Sequence, residues 1–244
     1  MAILQVKNFK KAFGGVKAAN DMSFEAQKGQ ITGLIGPNGS GKSTMINLIT
    51  GIVPKDKGVI IISDKVKVED IKPHDMHAFK ITRTFQNVRL FEQMSVLDNL
   101  LVVLTRRNIW SALFETKTAL HEDRAKDILE MVGLSEKKND LAGELSYGQR
   151  KLLEIGRVIA MDADVILFDE PYAGLFPEMV KKVSGMIKEM RKENKAIILV
   201  EHNMEIIREL CDHVVVMDAG KLLAEGTPEK VLSQRDVVEA YLGE

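Results

Sequence analysis

Residues Gly36-Pro37-Asn38-Gly39-Ser40-Gly41-Lys42-Ser43-Thr44 combine glycines, a lysine and hydroxyls in the pattern G-x-x-x-x-G-K-[ST]. Glycines at that spacing let the main chain wrap tightly, so that successive N–H groups converge on phosphate oxygens. Lys42 then reaches the outer phosphates of a nucleotide as a point charge, and the Ser43 hydroxyl is suited to ligate Mg²⁺. A second cluster is Asp169-Glu170, two carboxylates that close the apolar run Val165-Ile166-Leu167-Phe168. Ending a buried strand on two charges is unfavourable unless a cation or a catalytic task waits there. In a phosphate-binding chain that is the place for the metal: Asp169 holds it directly or through water, and Glu170 orients or deprotonates an attacking water. The run Ala196-Ile197-Ile198-Leu199-Val200 likewise delivers Glu201 and His202. His202 is there able to donate a hydrogen bond to a γ phosphate, or to remain a satisfied edge residue.

These residues need elements to hold them. Gln30-Ile31-Thr32-Gly33-Leu34-Ile35 reads as a short buried strand before the loop, and residues 44–50 read as a helix that Gly51 ends. That context sets the phosphates on a helix N-terminus, where the dipole and open N–H groups favour an anion. Leu145-Ser146-Tyr147-Gly148-Gln149 precedes a long helical run through Leu152, Leu153, Ile155, Val158 and Ile159. Ser146 is placed as an N-cap, so this second helix start is either a second anion site or simply a capped end. Phe13, before Gly14-Gly15, is either core packing or a flat face on which adenine stacks, with Phe24 and Val16 as competitors for whichever role it leaves.

Along the chain, residues 2–8 alternate as a strand, Val59-Ile60-Ile61-Ile62 is strand-like after a turn at 55–58, and Pro73 opens a short helical segment. His74 and His77 there have no third ligand at useful spacing and read as a solvated face. Ile81-Thr82-Arg83-Thr84-Phe85 brings a strand up to Gln86. Ser95 caps a helix of periodic Val96, Leu97, Leu100, Leu101, Val103 and Leu104. Residues 105–118 break that period with Trp110, Leu113 and Phe114, either a partner-facing patch or the inside of a helical subdomain. Helices follow over 119–133 and 178–193. A strand from His213 to Met217, a turn at Asp218-Ala219-Gly220, a strand over 221–224 and a helix opened by Thr227-Pro228 close the chain. Strands alternating with helices predict an α/β fold with a largely parallel sheet and functional loops at the carboxyl ends of its strands.

Composition agrees with a globular chain: of 244 residues, 45% are hydrophobic and 28% charged. A net charge of −1 is far from the basic balance of a nucleic-acid binder. The N-terminus lacks the apolar core of a signal peptide, and no stretch reaches the ~18 apolar residues of a membrane span, so the chain is expected to remain in the cytosol. The single cysteine, Cys211, excludes an internal disulfide and reads as a packed helix residue.

Taken together, these motifs resemble the nucleotide-binding subunits of ATP-binding-cassette (ABC) transporters over almost the whole chain. The stretch Leu145-Ser146-Tyr147-Gly148-Gln149 resembles the family signature and separates the chain from kinases and small GTPases. The resemblance implies one ABC nucleotide-binding domain over residues 1–244. Its core is of the P-loop NTPase (RecA-like) kind with a mostly parallel sheet and an N-terminal antiparallel β portion. An inserted α-helical subdomain, at about residues 88–160, carries the signature. It implies ATP and Mg²⁺ as cofactors, Phe13 as the adenine-stacking aromatic, and His202 as the switch histidine. Gln86 becomes a catalytic and Mg²⁺-sensing residue that faces the membrane partner. Residues 36–44 bind nucleotide opposite Ser146, Gly148 and Gln149 of a second subunit, and residues 173–177 cross between the two.

Within the family, Arg83-Thr84-Phe85-Gln86-Asn87-Val88-Arg89-Leu90-Phe91 and Glu239-Ala240-Tyr241-Leu242-Gly243 are similar to the importer ATPases for branched-chain amino acids; amide, urea and lipopolysaccharide-export ATPases are cousins. The implied partners are permease subunits, a second ABC ATPase in a homodimer or heterodimer, indirectly a solute-binding protein, and no nucleic acid. The implied location is cytoplasmic and peripheral on the inner face of the membrane. Tyr147 stands where many relatives have glycine, and Phe176 where aspartate or asparagine is usual. The rival reading is a soluble cassette ATPase acting on nucleic acid or the ribosome, but the second cassette or coiled-coil insertion usual there is absent from this sequence. A dead-site assembly module is opposed by the intact Lys42, Asp169, Glu170 and His202.

Overall fold

The structure, a computed structural model, describes residues 2–63, 66–85, 88–105 and 118–242. Gln86, Asn87, Arg106, Arg107, Asn108, Trp110, Leu113, Phe114 and Gly243, all singled out above, lie outside the described residues. The chain divides into two compact units, one of Met1–Arg83, Asp164–Glu170 and Met186–Glu244, the other of Thr84–Ala163 and Pro171–Gly185.

The first unit opens with β1 (Ala2–Phe13), β2 (Val16–Gln27), β3 (Ile31–Ile35), α1 (Lys42–Ile49), β4 (Lys57–Ile62), β5 (Val66–Val68) and β6 (Ile81–Arg83). It receives β7 (Val165–Asp169) and, after the second unit, β8 (Ala196–Val200), α6 (Met204–Leu210), β9 (His213–Asp218), β10 (Lys221–Gly226), α7 (Pro228–Val231) and α8 (Arg235–Leu242). An antiparallel sheet runs in the order β2-β1-β4-β5, and a six-stranded sheet in the order β10-β9-β3-β8-β7-β6. Among the described residues of the larger sheet, only the β9–β10 pair is antiparallel. Residues of β3, β7 and β8 are buried without alternation, as strands covered on both faces must be. Phe9, Met22 and Ile60 from the antiparallel sheet share one core with Met45, Ile46 and Ile49 of α1 and Leu34, Leu167, Ile198 and Val215 of the parallel sheet.

β1 is longer than the strand read from residues 2–8, and β2 was not visible as a strand, because the pair forms one twisted hairpin with several register shifts that break alternation. β6 ends at Arg83, three residues short of Gln86. The short α6 and the terminal α8 escaped the periodicity reading. Cys211 is buried just past the end of α6 rather than within it.

The second unit holds α2 (Val96–Leu104), α3 (Thr118–Val132) and α4 (Tyr147–Ala160). Helix α5 (Pro177–Lys192) begins in this unit and finishes in the first. Ser95 caps α2 by accepting the Asp98 N–H at 2.9 Å. The three helices meet at Gly156, where an added Cβ would already lie 3.3–3.5 Å from Ile128, Val132 and Leu100.

Candidate active site

β3, β8 and β7 are adjacent and parallel, with Leu34 paired to Val200 and Val200 to Asp169. Their carboxyl ends therefore open side by side, and the three sequence clusters 36–44, 169–170 and 201–202 emerge from one edge of one sheet. This is where open α/β sheets bind ligands.

The loop after β3 turns through Gly36, Gly39 and Gly41 at φ 149°, 80° and 105°. A Cβ on Gly36 would lie 2.0 Å from the Met217 carbonyl oxygen, and one on Gly41 would lie 2.2 Å from that of Ala18. Both positions thus require glycine through φ and through the close approach of neighbouring backbone. Gly41 is the N-cap of α1 and offers no side-chain cap, which keeps the helix dipole and its first N–H groups directed at the loop. The Lys42 ammonium donates to the carbonyls of Gly36 at 2.7 Å and Pro37 at 2.9 Å and approaches Ser40 Oγ at 3.4 Å. Burial lowers its pKa, and the carboxylates of Glu170 and Asp169 oppose that shift. Lys42 thus sits inside the curve of the loop, within the field of both acids. Ser40 is buried, whereas Asn38, Gly39 and Ser43 are exposed.

Asp169 and Glu170, adjacent in sequence, are held differently. Asp169 Oδ2 accepts from Arg83 Nη2 at 3.0 Å, both side chains being buried. Arg83 also donates through Nη1 to Asn47 Oδ1 at 2.7 Å and to Thr50 Oγ1 at 3.3 Å, both belonging to the helix that starts at Lys42 or to its C-cap. One guanidinium fork therefore ties the metal-site candidate of β7 to the helix of the phosphate loop. Sequence reasoning missed this role; the available signal was a charged residue inside the otherwise apolar-and-threonine run of β6. Glu170 adopts φ 50°, the left-handed region that a non-glycine residue rarely occupies. Its N–H continues the sheet by donating to Val200 O at 3.0 Å. Its Oε1 lies 2.9 Å from His202 Nε2, so the two residues from neighbouring strands meet across the sheet edge. Directly after His202, Asn203 accepts the N–H groups of Glu205 and Ile206 and caps α6, which fixes the chain direction leaving the histidine.

Phe13, 49% exposed, ends β1 with the Lys11 ammonium 5.4 Å from its ring centroid. Phe24, its rival, is buried in the core, and Val16 is exposed without an aromatic face. Burial pushes the pKa of Tyr241, on α8, up to about 12. His74 and His77 are exposed, and no group of three or more His, Cys, Asp or Glu side chains suited to a metal occurs among the described residues.

In the second unit Ser146 and Gln149 form a capping box: Ser146 Oγ accepts the Gln149 N–H at 3.4 Å, and Gln149 Oε1 accepts the Ser146 N–H at 3.0 Å. A Cβ on Gly148 would fall 2.4 Å from Met179 Sδ. The Tyr147 ring covers Gly174, at φ 73°, so closely that a Cβ there would lie 2.9 Å from Cε1. Tyrosine at 147 and glycine at 174 are thus a matched pair. Phe176, in the same loop, is 76% exposed.

A phosphate loop at the end of a parallel strand, with a carboxylate pair and a histidine at the ends of its neighbours, defines a nucleotide-hydrolysing P-loop protein. Residues 19–173 match the ABC transporter family, and residues 221–244 match a C-terminal segment described as branched-chain amino acid ATP-binding cassette transporter. The chain is 38% identical to the high-affinity branched-chain amino acid transport ATP-binding protein BraF of Pseudomonas aeruginosa and to LivG of Escherichia coli, covering 99% of this chain and 98% of each relative. It is 35% identical to the lipopolysaccharide export system ATP-binding protein LptB of E. coli, over 100% of this chain and 98% of that one. Among solved structures, the ADP conformation of MJ1267, an ATP-binding cassette of an ABC transporter, superposes with a TM-score of 0.85 at 36% identity over the full length of both chains. The chain belongs to the ABC transporter family, as one of its ATP-binding, ATP-hydrolysing cassettes.

Proposed function

We propose that this cassette powers import of branched-chain amino acids, or of related small polar solutes, through a membrane permease. The observation that carries the reading is the shared sheet edge on which Lys42, Asp169, Glu170 and His202 converge, joined by full-length similarity to transport ATP-binding proteins named for branched-chain amino acids. No helix among the described residues is long and apolar enough to cross a membrane, so the path for the solute belongs to partner subunits. We infer permease subunits and a second cassette, identical or different, as direct partners. A solute-binding protein is the indirect one, and the cytoplasmic face of the membrane is the working location.

The residues divide the work as follows. The N–H groups of residues 36–44 and the Lys42 ammonium hold the β and γ phosphates and stabilise their charge. Phe13 receives the adenine ring on its exposed face. Glu170, strained at φ 50° and anchored by its N–H, aims its carboxylate at the attacking water, while His202 steadies that carboxylate and reaches the γ phosphate. Ser43 and Asp169, with Gln86 by resemblance, would hold Mg²⁺. A hydroxyl, one carboxylate and an amide, completed by phosphate and water oxygens, suit a hard octahedral cation. Bound there, the ion would supply positive charge against the negative charge that develops during transfer. Ser146, Gly148 and Gln149, at the start of α4, face the nucleotide of the second cassette. The helical unit that carries them is the signature subdomain.

Capture of the Glu170→Gln chain from membranes in ATP tests this reading. Permeases and a solute-binding protein are expected to co-purify. Components of a lipopolysaccharide-export bridge would replace it with the reading favoured by the similarity to LptB, and stimulation of the ATPase by nucleic acid would favour a soluble role.

A further inference from the structure

Arg150 stands in the first turn of α4, where the positive end of the helix dipole disfavours a cation and no acid in that turn compensates it. Its guanidinium is folded back over the residues that precede Ser146. Nε donates to the Leu145 carbonyl at 3.0 Å, Nη2 donates to the Gly143 carbonyl, and Nη1 donates to Glu92 Oε1 at 3.2 Å. All three nitrogens of one rigid plane are engaged. The peptide unit between Leu145 and Ser146 is thereby held from both sides: Arg150 takes its carbonyl, and Gln149 Oε1 takes its N–H at 3.0 Å. The turn ahead of it is laid against the segment that leads into α2. Gly143 N–H donates to Glu92 O and Ala142 N–H to Met94 O, each at 3.0 Å, and a Cβ on Gly143 would lie 3.2 Å from that Glu92 oxygen. Of the three acceptors the carboxylate matters least, because the Glu92 side chain is 64% exposed and an ion pair so open to water contributes little. The carbonyls of Gly143 and Leu145 are part-buried, and hydrogen bonds from a cation to such groups are the strong ones. All of these residues belong to the second unit.

We propose that Arg150 is a positioning residue for the signature: its hold on Gly143 and Leu145, joined to that of Gln149 on Ser146, fixes the peptide plane from which Ser146 and Gly148 are presented to a facing nucleotide. The inference rests on the proposed role of Ser146, Gly148 and Gln149, and it adds the residue that sets their orientation without touching the nucleotide itself. Lysine at this position supplies the charge but not the planar set of donors that spans two carbonyls.

Backbone hydrogen exchange of the nucleotide-free full chain, read by NMR at Gly143 and Ser146, tests the grip without reference to ATP. In Arg150→Ala both amides are expected to exchange faster by about 10- to 100-fold, the population change for losing charge-assisted hydrogen bonds. Arg150→Lys is the milder change that keeps the test alive should the alanine variant fail to fold. It retains one donor, and exchange is expected to stay about 3- to 10-fold above that of the parent. Glu92→Gln removes only the exposed ion pair and is expected to leave exchange and kcat within about twofold of the parent. In the folded Arg150 variants kcat should fall about tenfold, while ATP affinity of the single chain by calorimetry is unchanged because residues 36–44 are untouched. Parental exchange at both amides would overturn the grip. Faster exchange with a parental kcat, or an equal loss of ATP affinity, would overturn the positioning role. Failure of the signature reading has a different mark: parental kcat in Ser146→Arg, which sets a bulky group where the nucleotide is proposed to face, with the exchange results for Arg150 intact.

Discussion

Arg83 and Asp169 form a buried ion pair with Nη2 and Oδ2 at 3.0 Å, each side chain only 5% exposed. The same guanidinium binds Asn47 and Thr50, so the end of β7 and the helix behind the phosphate loop share one rigid support. Removing one partner of such a pair leaves an uncompensated buried charge. Arg83→Ala is therefore expected to destabilise the fold by about 3–5 kcal/mol, read by denaturant unfolding. Arg83→Lys should retain part of the stability but lose the fork that spans Asn47 and Asp169. An unchanged midpoint in Arg83→Ala would refute the support role.

Glu170→Gln preserves shape and removes the carboxylate proposed to act as base. Hydrolysis should slow by about 10²–10⁴-fold while ATP still binds, so that an ATP-bound dimer accumulates in size-exclusion chromatography. A variant that hydrolyses ATP at the parent rate would remove Glu170 from its proposed role.

Lys42 is held by two loop carbonyls and lies in the field of Glu170 and Asp169. Lys42→Ala deletes the one cation of residues 36–44, and ATP affinity by calorimetry should fall by about 100-fold, near 2.7 kcal/mol. Unchanged affinity would sink the loop assignment.

Cys211 sits against Gly33, where an added Cβ would lie 2.9 Å from Sγ, and burial pushes its thiol from an ordinary 9.0 up to about 12. At pH 8 its thiolate fraction is on the order of 10⁻⁴, against roughly a tenth for a free thiol. A thiol reagent should label the native chain slowly and the denatured chain at once; equal rates would contradict the burial. An acid whose folded pKa is raised contributes stability below its unfolded value and loses it as pH rises toward the folded one. This group therefore costs stability between about pH 9 and 12, and Cys211→Ala should flatten that part of the alkaline stability profile.

The sequence by itself determined the chemistry-bearing clusters and the class of fold, because the phosphate loop, the acid pair and the signature are contiguous stretches whose function depends on local backbone and residue type. Buried strands such as 165–169 and 196–200 were legible for the same reason: a continuous apolar run can satisfy only a covered parallel sheet. The hairpin of β1 and β2 was half visible, since its register shifts interrupt the alternation that marks a strand. What only tertiary structure decided were relations between residues far apart in the chain. Strand order set Glu170 beside His202. Arg83, read merely as part of a strand, became the tie between β7 and α1. Phe24 was buried and Phe13 left open. Lys151, Glu154 and Arg157 drew no reading from the sequence, and folding set them against the main chain of Phe85 and Arg89. Periodicity encodes which face of an element is apolar, but it carries no information on which remote main-chain groups will meet a charge.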